Sequence, residues 1–193
     1  MNLPNKLSIL RIFLVPFVMF FYLASFIPFG KLIAIAIFII AALTDMLDGK
    51  IARKYNLITD LGKLLDPIAD KLLVTAALLL VVIDYTIPQP WGIIIAMVII
   101  GREFIISAFR QIAASKNFVM AADKLGKLKT LVTDISLPLL ILLAYFNQNT
   151  TLSGLWLDIF AIVNYVLIAI ATLLTIVSAI NYFVKNKQVL KND

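Results

Sequence analysis

The stretch Asp45–Asp70, DMLDGKIARKYNLITDLGKLLDPIAD, decides how this chain must fold. It holds five aspartates and lies between two runs of almost pure hydrocarbon, IAIAIFIIAAL at 33–43 and LLVTAALLLVVI at 72–83. An ionised carboxylate at membrane depth costs several kcal/mol unless something compensates it, so acids in this setting mark a functional site.

The rest of the chain supplies the membrane. Its 193 residues are 62% hydrophobic and 15% charged, with a mean hydropathy of +1.02, the profile of an integral membrane protein. A helix of ~20 apolar residues crosses the ~30 Å hydrocarbon core. Six such segments are expected, at Leu7–Ile27, Lys31–Arg53, Leu61–Ile83, Trp91–Ala114, Gly126–Phe146 and Leu155–Val184. The expected fold is therefore an all-α membrane protein with six transmembrane helices, a single domain over residues 1–193. The first apolar run lacks a small-residue cleavage site and reads as an uncleaved span.

The formal charge of +6 does not point to nucleic acid, because of where the cations fall. Lys6, Arg11, Lys50, Arg53, Lys54, Lys63, Arg110, Lys116, Lys124, Lys127, Lys129, Lys185, Lys187 and Lys191 collect at alternate helix ends. The opposite connections, SFIPFGK, DYTIPQPW and NQNTTLSG, carry only Lys31 and Asp84. The positive-inside rule then puts both termini and the aspartate-bearing loop in the cytoplasm, with the chain in the cell membrane. Trp91 and Trp156 fall at the other interface, as anchors.

With neither histidine nor cysteine in the chain, metal binding and proton transfer fall to carboxylates, Lys or Tyr. Asp45 and Asp48 are three residues apart and Asp66 and Asp70 four, so each pair shares one helical face. At ~1.5 Å per residue, Asp45 lies about 21 Å along its helix from Lys31, and Asp66 and Asp70 mirror it on the next. The two helices are expected to be antiparallel neighbours with facing carboxylates. Oxygen-only donors select a hard ion, Mg²⁺ or Mn²⁺, and two such ions would offset four charges. Gly49, Ala52 and Gly62 lack bulk where a ligand would approach the backbone. Arg53 can set a planar fork on phosphate, and Thr59 can cap the third helix. Asp60, at that helix start, is left to the helix dipole.

The pattern Asp45-x2-Asp48-Gly49-x2-Ala52-Arg53-x8-Gly62-x3-Asp66-x3-Asp70 resembles the signature of the CDP-alcohol phosphotransferases at every fixed position. MNLPNKLSILRI, GREFIISAFR and DKLGKLKT look most like the phosphatidylglycerophosphate synthases of that family. The resemblance implies transfer of the phosphatidyl group of CDP-diacylglycerol to sn-glycerol 3-phosphate, releasing CMP. It implies that Asp70 is the catalytic base and also touches metal, beside Asp45, Asp48 and Asp66. It also implies a homodimer. Asp48, Gly49, Ala52, Arg53 and Gly62 would bind the CDP-lipid, with Asn5 and Ser8 along the active-site mouth. Arg102, within the fourth segment, is a functional candidate as an intramembrane cation. With Arg110, Lys124 and Lys127 it is the expected site for the acceptor's phosphate, whereas Lys129 would point elsewhere.

Two other readings remain open on sequence. A sister enzyme could use serine, inositol phosphate or phosphatidylglycerol as acceptor. A divalent-cation transporter could also bury acids, although the outer half of this chain is almost bare of polar groups.

Overall fold

A computed structural model describes residues 2–54, 59–115, 124–149 and 154–186; the side chains of 46–54, 60, 61, 63, 64 and 115 lie outside the description. The described residues form six helices: α1 Leu3–Leu23, α2 Gly30–Lys54, α3 Asp60–Ile83, α4 Trp91–Ser115, α5 Lys124–Gln148 and α6 Leu155–Lys185. No strand occurs among them.

Local chemistry sets the helix ends. Asn2 caps α1, its side chain accepting from the Asn5 backbone N–H, with a proline at the tolerated first positions. Thr59 caps α3 as its residue type predicts, accepting from the Gly62 N–H at 3.1 Å. Pro16, Pro67 and Pro138 all lie inside helices. Gly30 opens α2 where a Cβ would stand 2.4 Å from the Phe21 carbonyl oxygen, so no larger residue fits without moving the backbone.

Four helices, α1, α4, α5 and α6, are long and apolar enough to cross a membrane. The acid-bearing α2 and α3 have 25 and 24 residues, each apolar over the half away from the motif. Small and polar side chains share the interior with large apolar ones such as Phe38, Leu78, Leu137 and Ile141, while many other large apolar side chains face outward. Ala34, Ala41, Ala69, Ala77, Ala113 and Ala171 are fully buried, as are Ser136, Asn164, Thr175 and Ser178, while Phe13, Phe17, Met97, Ile162 and Leu173 face outward. Small and hydroxyl side chains let helix backbones approach where lipid already solvates the bulky ones. Trp91 and Trp156 are also exposed.

The expected face-to-face pairing of α2 and α3 is not the main contact. α1 packs extensively against both of them, and α2 and α3 touch each other less. α5 packs on α6, α2 and α3, while α4 bridges α3 and α6. At the end of the bundle remote from the motif, Lys31 and Asp84, the two charges of the otherwise bare connections, pair with each other. Tyr22 donates to the same Asp84 oxygen at 2.9 Å, and its ring lies 4.6 Å beneath the Lys31 ammonium. This cluster joins α1 and α2 to the C-terminal end of α3.

Candidate active site

One stripe of α1 organises the acidic helices. Asn5, Ser8 and Arg11 follow one another at three-residue spacing and are all buried, Ser8 and Arg11 with 0% exposure. The Asn5 side-chain carbonyl accepts from the Thr59 hydroxyl at 3.0 Å, which ties α1 to the cap of α3. A Cβ on Gly62 would stand 2.8 Å from that same Asn5 oxygen, so the glycine is the seat on which Asn5 rests. The Ser8 hydroxyl, next to the Pro4 carbonyl at 3.1 Å, bonds Asp66 on α3. Arg11 pairs with Asp45 on α2.

Arg11 counts by sequence among the cations of the cytoplasmic face, yet it lies inside the bundle, because α1 turns that face toward the acids. Asn5 and Ser8, expected along the mouth as CDP-lipid contacts, hydrogen-bond Thr59 and Asp66 of the α3 segment.

Asp70 lies one turn beyond Asp66 and borders a cavity of about 20 Å³ lined by Lys71, Val74, Glu103, Lys129, Thr130, Thr133 and Asp134. That is room for about one water molecule. Asp70 is within electrostatic range of Asp45, Glu103, Arg11 and Lys129. Asp134 is within range of Asp70, Asp45, Lys129 and Glu103. Helices α3, α4 and α5 thus bring Asp70, Glu103 and Asp134 to the wall of one cavity, with Asp45 of α2 within electrostatic range.

The counter-charge there comes from α4 and α5. Lys129 is 4% exposed, the reverse of its expected outward direction, and it bonds Glu103. Lys127 and Lys129 differ by two positions, about 200° around a helix, so turning Lys129 inward leaves Lys127 exposed. Glu103 also accepts from Arg102 at 3.2 Å, and Arg102 donates onward to the Ser178 hydroxyl at 2.9 Å. Two cations share this one carboxylate, beside a cavity whose own lining holds Asp70 and Asp134 as well as Lys71 and Lys129.

The expected acceptor residues therefore divide. Arg102 does not line the Asp70 cavity; it reaches the cavity wall only through Glu103, which Lys129 shares, and itself borders a separate groove between α4 and α6. Arg110 is exposed about 12 Å further along α4, donating from Nε to the Tyr182 hydroxyl at 3.1 Å with its guanidinium 5.5 Å from that ring. Lys124 and Lys127 are exposed on the first turns of α5 and line no part of the cavity. The side chains of Asp48, Gly49, Ala52, Arg53 and Asp60 fall outside the described residues. Sequence reasoning missed Asp134 and the pairing of Lys129 with Glu103. A usable signal existed in Lys129, Thr130, Thr133 and Asp134, whose spacing puts four polar residues on one face of an otherwise apolar helix.

Comparison with known proteins agrees with this architecture. A family model described as CDP-alcohol phosphatidyltransferase matches residues 1–177. A CDP-diacylglycerol–glycerol-3-phosphate 3-phosphatidyltransferase of Bacillus subtilis is 38% identical over 207 residues, covering 100% of this chain and 98% of the relative. Its namesake in Rickettsia bellii is 35% identical over 94% of this chain and 93% of its own. That of Salmonella typhimurium is 38% identical over 72% and 76%. With its motif intact across α2 and α3 and the family model covering all but the C-terminal end, the chain belongs to the CDP-alcohol phosphatidyltransferase family, whose members catalyse phosphatidyl transfer from a CDP-alcohol.

Proposed function

We propose that the chain transfers the phosphatidyl group of CDP-diacylglycerol to sn-glycerol 3-phosphate, giving phosphatidylglycerophosphate and CMP. The observation that carries this reading is that relatives from three bacterial genera, matching between 72% and 100% of the chain, all bear that acceptor in their names. Lys129 on the cavity wall and Arg102 behind it support it, because a phosphorylated acceptor needs cationic partners.

The reaction is a substitution at phosphorus. The acceptor hydroxyl oxygen forms a bond to the phosphorus that carries diacylglycerol, the bond from that phosphorus to CMP breaks, and CMP leaves with the electron pair. Asp70 takes the hydroxyl proton. Arg102 and Lys129 hold the acceptor phosphate at depth, and Arg110, with Lys124 and Lys127, receives it from the water side. Gly49, Ala52 and Arg53 of α2, with Asp48 and Gly62, bind the CDP-lipid. Asn5 and Ser8 lie along the mouth of that site and also hold α3.

Enzymes of this family depend on divalent cations. Among the described residues no three acidic side chains are gathered closely enough to enclose an ion, and the Asp48 carboxylate falls outside them. The donor chemistry nonetheless fits, being carboxylate oxygen alone, and Asp45 already accepts a full positive charge from Arg11. Asp45, Asp48, Asp66 and Asp70 would hold two ions, Mg²⁺ or Mn²⁺, which when bound neutralise the diphosphate and make its phosphorus more electrophilic.

In the membrane, all six helices cross, the motif ends of α2 and α3 face the cytoplasm with both termini, and the enzyme works as a homodimer in the cell membrane. The charge distribution supports the orientation. The decisive experiment supplies purified protein with CDP-diacylglycerol and, in turn, glycerol 3-phosphate, serine, inositol phosphate and phosphatidylglycerol. CMP release is expected with glycerol 3-phosphate alone, to stop in EDTA and to resume with Mg²⁺ or Mn²⁺. Release with another alcohol in its place assigns the chain to a sister activity.

A further inference from the structure

A guanidinium with no exposure, set in the apolar run SILRIFL of α1, needs a specific reason to be there. Among its partners, Asp45 does not share its burial: the Asp45 side chain is 45% exposed, against 0% for Arg11. The cost of the pair therefore falls on the arginine, and the beneficiary is the carboxylate. One turn earlier on the same stripe, Ser8 bonds Asp66, so a single face of α1 grips both acidic helices. The seat of Asn5 on Gly62 fixes how far α1 slides along α3 and thus which turn of α1 meets the acids. Arg11 also lies within electrostatic range of Asp70, so its charge reaches across the cluster.

We propose that Arg11 is a positioning residue for catalysis: its hydrogen bond from Nη1 to Asp45 Oδ1 fixes the orientation of that carboxylate, and its charge moderates the pull of the cluster on a divalent cation. This rests on the reading of Asp45 as a metal-holding residue. Lysine cannot reproduce the planar guanidinium's geometry, although it can carry the charge. The two parts of the role are therefore separable by substitution.

The test uses the full-length enzyme in lipid nanodiscs as wild type, Arg11→Met, Arg11→Lys and Asp45→Asn. Steady-state kinetics give kcat and both KM values, and electron paramagnetic resonance of added Mn²⁺, the metal alone, gives affinity without turnover. Arg11→Met is expected to lower kcat about tenfold or more through the misplaced carboxylate, with both KM values within about threefold. It is expected to tighten Mn²⁺ binding about threefold, because a neighbouring cation has gone. Arg11→Lys keeps wild-type Mn²⁺ affinity while kcat falls by a smaller factor. Wild-type kcat in both variants overturns the proposal, and so does a lowered kcat in Arg11→Met with unaltered Mn²⁺ affinity, which marks packing alone. If Arg11→Met does not fold, Arg11→Lys decides: reduced kcat with unaltered affinity supports the role, and wild-type kcat ends it. Unchanged Mn²⁺ affinity in Asp45→Asn overturns the metal reading beneath the proposal. Affinity lost in Asp45→Asn beside an unresponsive Arg11→Met overturns the role of Arg11 alone.

Discussion

Replacing Lys129 by methionine removes one buried charge at nearly constant side-chain length. The ammonium is bonded to Glu103 on the wall of the cavity that Asp70 borders. Two effects follow. Glu103 keeps Arg102 at 3.2 Å, so its charge stays partly compensated and the bundle still assembles. On the proposed reading the acceptor phosphate, by contrast, loses a charge-assisted hydrogen bond, worth roughly 1.5–3 kcal/mol. At about 1.36 kcal/mol per factor of ten, kcat/KM for glycerol 3-phosphate is expected to fall between about tenfold and somewhat over a hundredfold. CMP release in nanodiscs, with each substrate varied at saturating levels of the other, measures this. The KM for CDP-diacylglycerol should move little, because Lys129 comes from α5 and the nucleotide-lipid residues from α2 and α3. A variant that weakens CDP-diacylglycerol and spares glycerol 3-phosphate would refute the reasoning, since it puts the acceptor on the wrong side of the acids.

Asp70→Asn should reduce turnover by ~10²–10⁴, the usual worth of a positioned proton acceptor, while the protein still folds and inserts; near-normal single-turnover rates would remove Asp70 from the role of base. Arg110→Ala should raise the KM for glycerol 3-phosphate about tenfold and leave that for CDP-diacylglycerol unchanged, as loss of a charge-assisted contact at the mouth requires; the same kinetic series reads it. At the remote end, Lys31→Met strands Asp84 beside Tyr22 and should destabilise the bundle toward the lower end of the roughly 3–5 kcal/mol seen when a buried pair is broken. Thermal unfolding in detergent should show the double variant Lys31→Met with Asp84→Asn recovering much of that loss, and equal losses in single and double variants would show that the pair is not coupled.

The positions of the helices were legible because polar and conformational punctuation is strong in an apolar chain. Thr59, Pro88, Pro90 and Gly30 mark ends that agree with the structure to within a residue or two. The first helix begins earlier than its hydropathy, at Leu3, since the Asn2 cap and Pro4 start it before the hydrocarbon run. The acidic motif was legible as residues but not as a place. Which face of α1 or α5 turns inward is set by tertiary packing, and a helix apolar on every side carries little record of it. Hence Arg11 read as an interfacial charge and Lys129 as outward, and Asp134 went unnoticed among the leucines of α5. Polar residues spaced on one face, as in Asn5, Ser8 and Arg11, were the available trace.

Helix α6 has 31 residues, about 46 Å at 1.5 Å per residue, against a hydrocarbon thickness of ~30 Å. Such hydrophobic mismatch is met by tilting or by thickening the lipid around the helix. Ser178 and Tyr182, which hold Arg102 and Arg110, both lie in the last turns of α6, where a given tilt produces a large lateral displacement. The thickness of the surrounding bilayer therefore bears on where those two guanidinium groups stand, and lipids of differing chain length become a means of adjusting the proposed acceptor side of the enzyme without altering a residue.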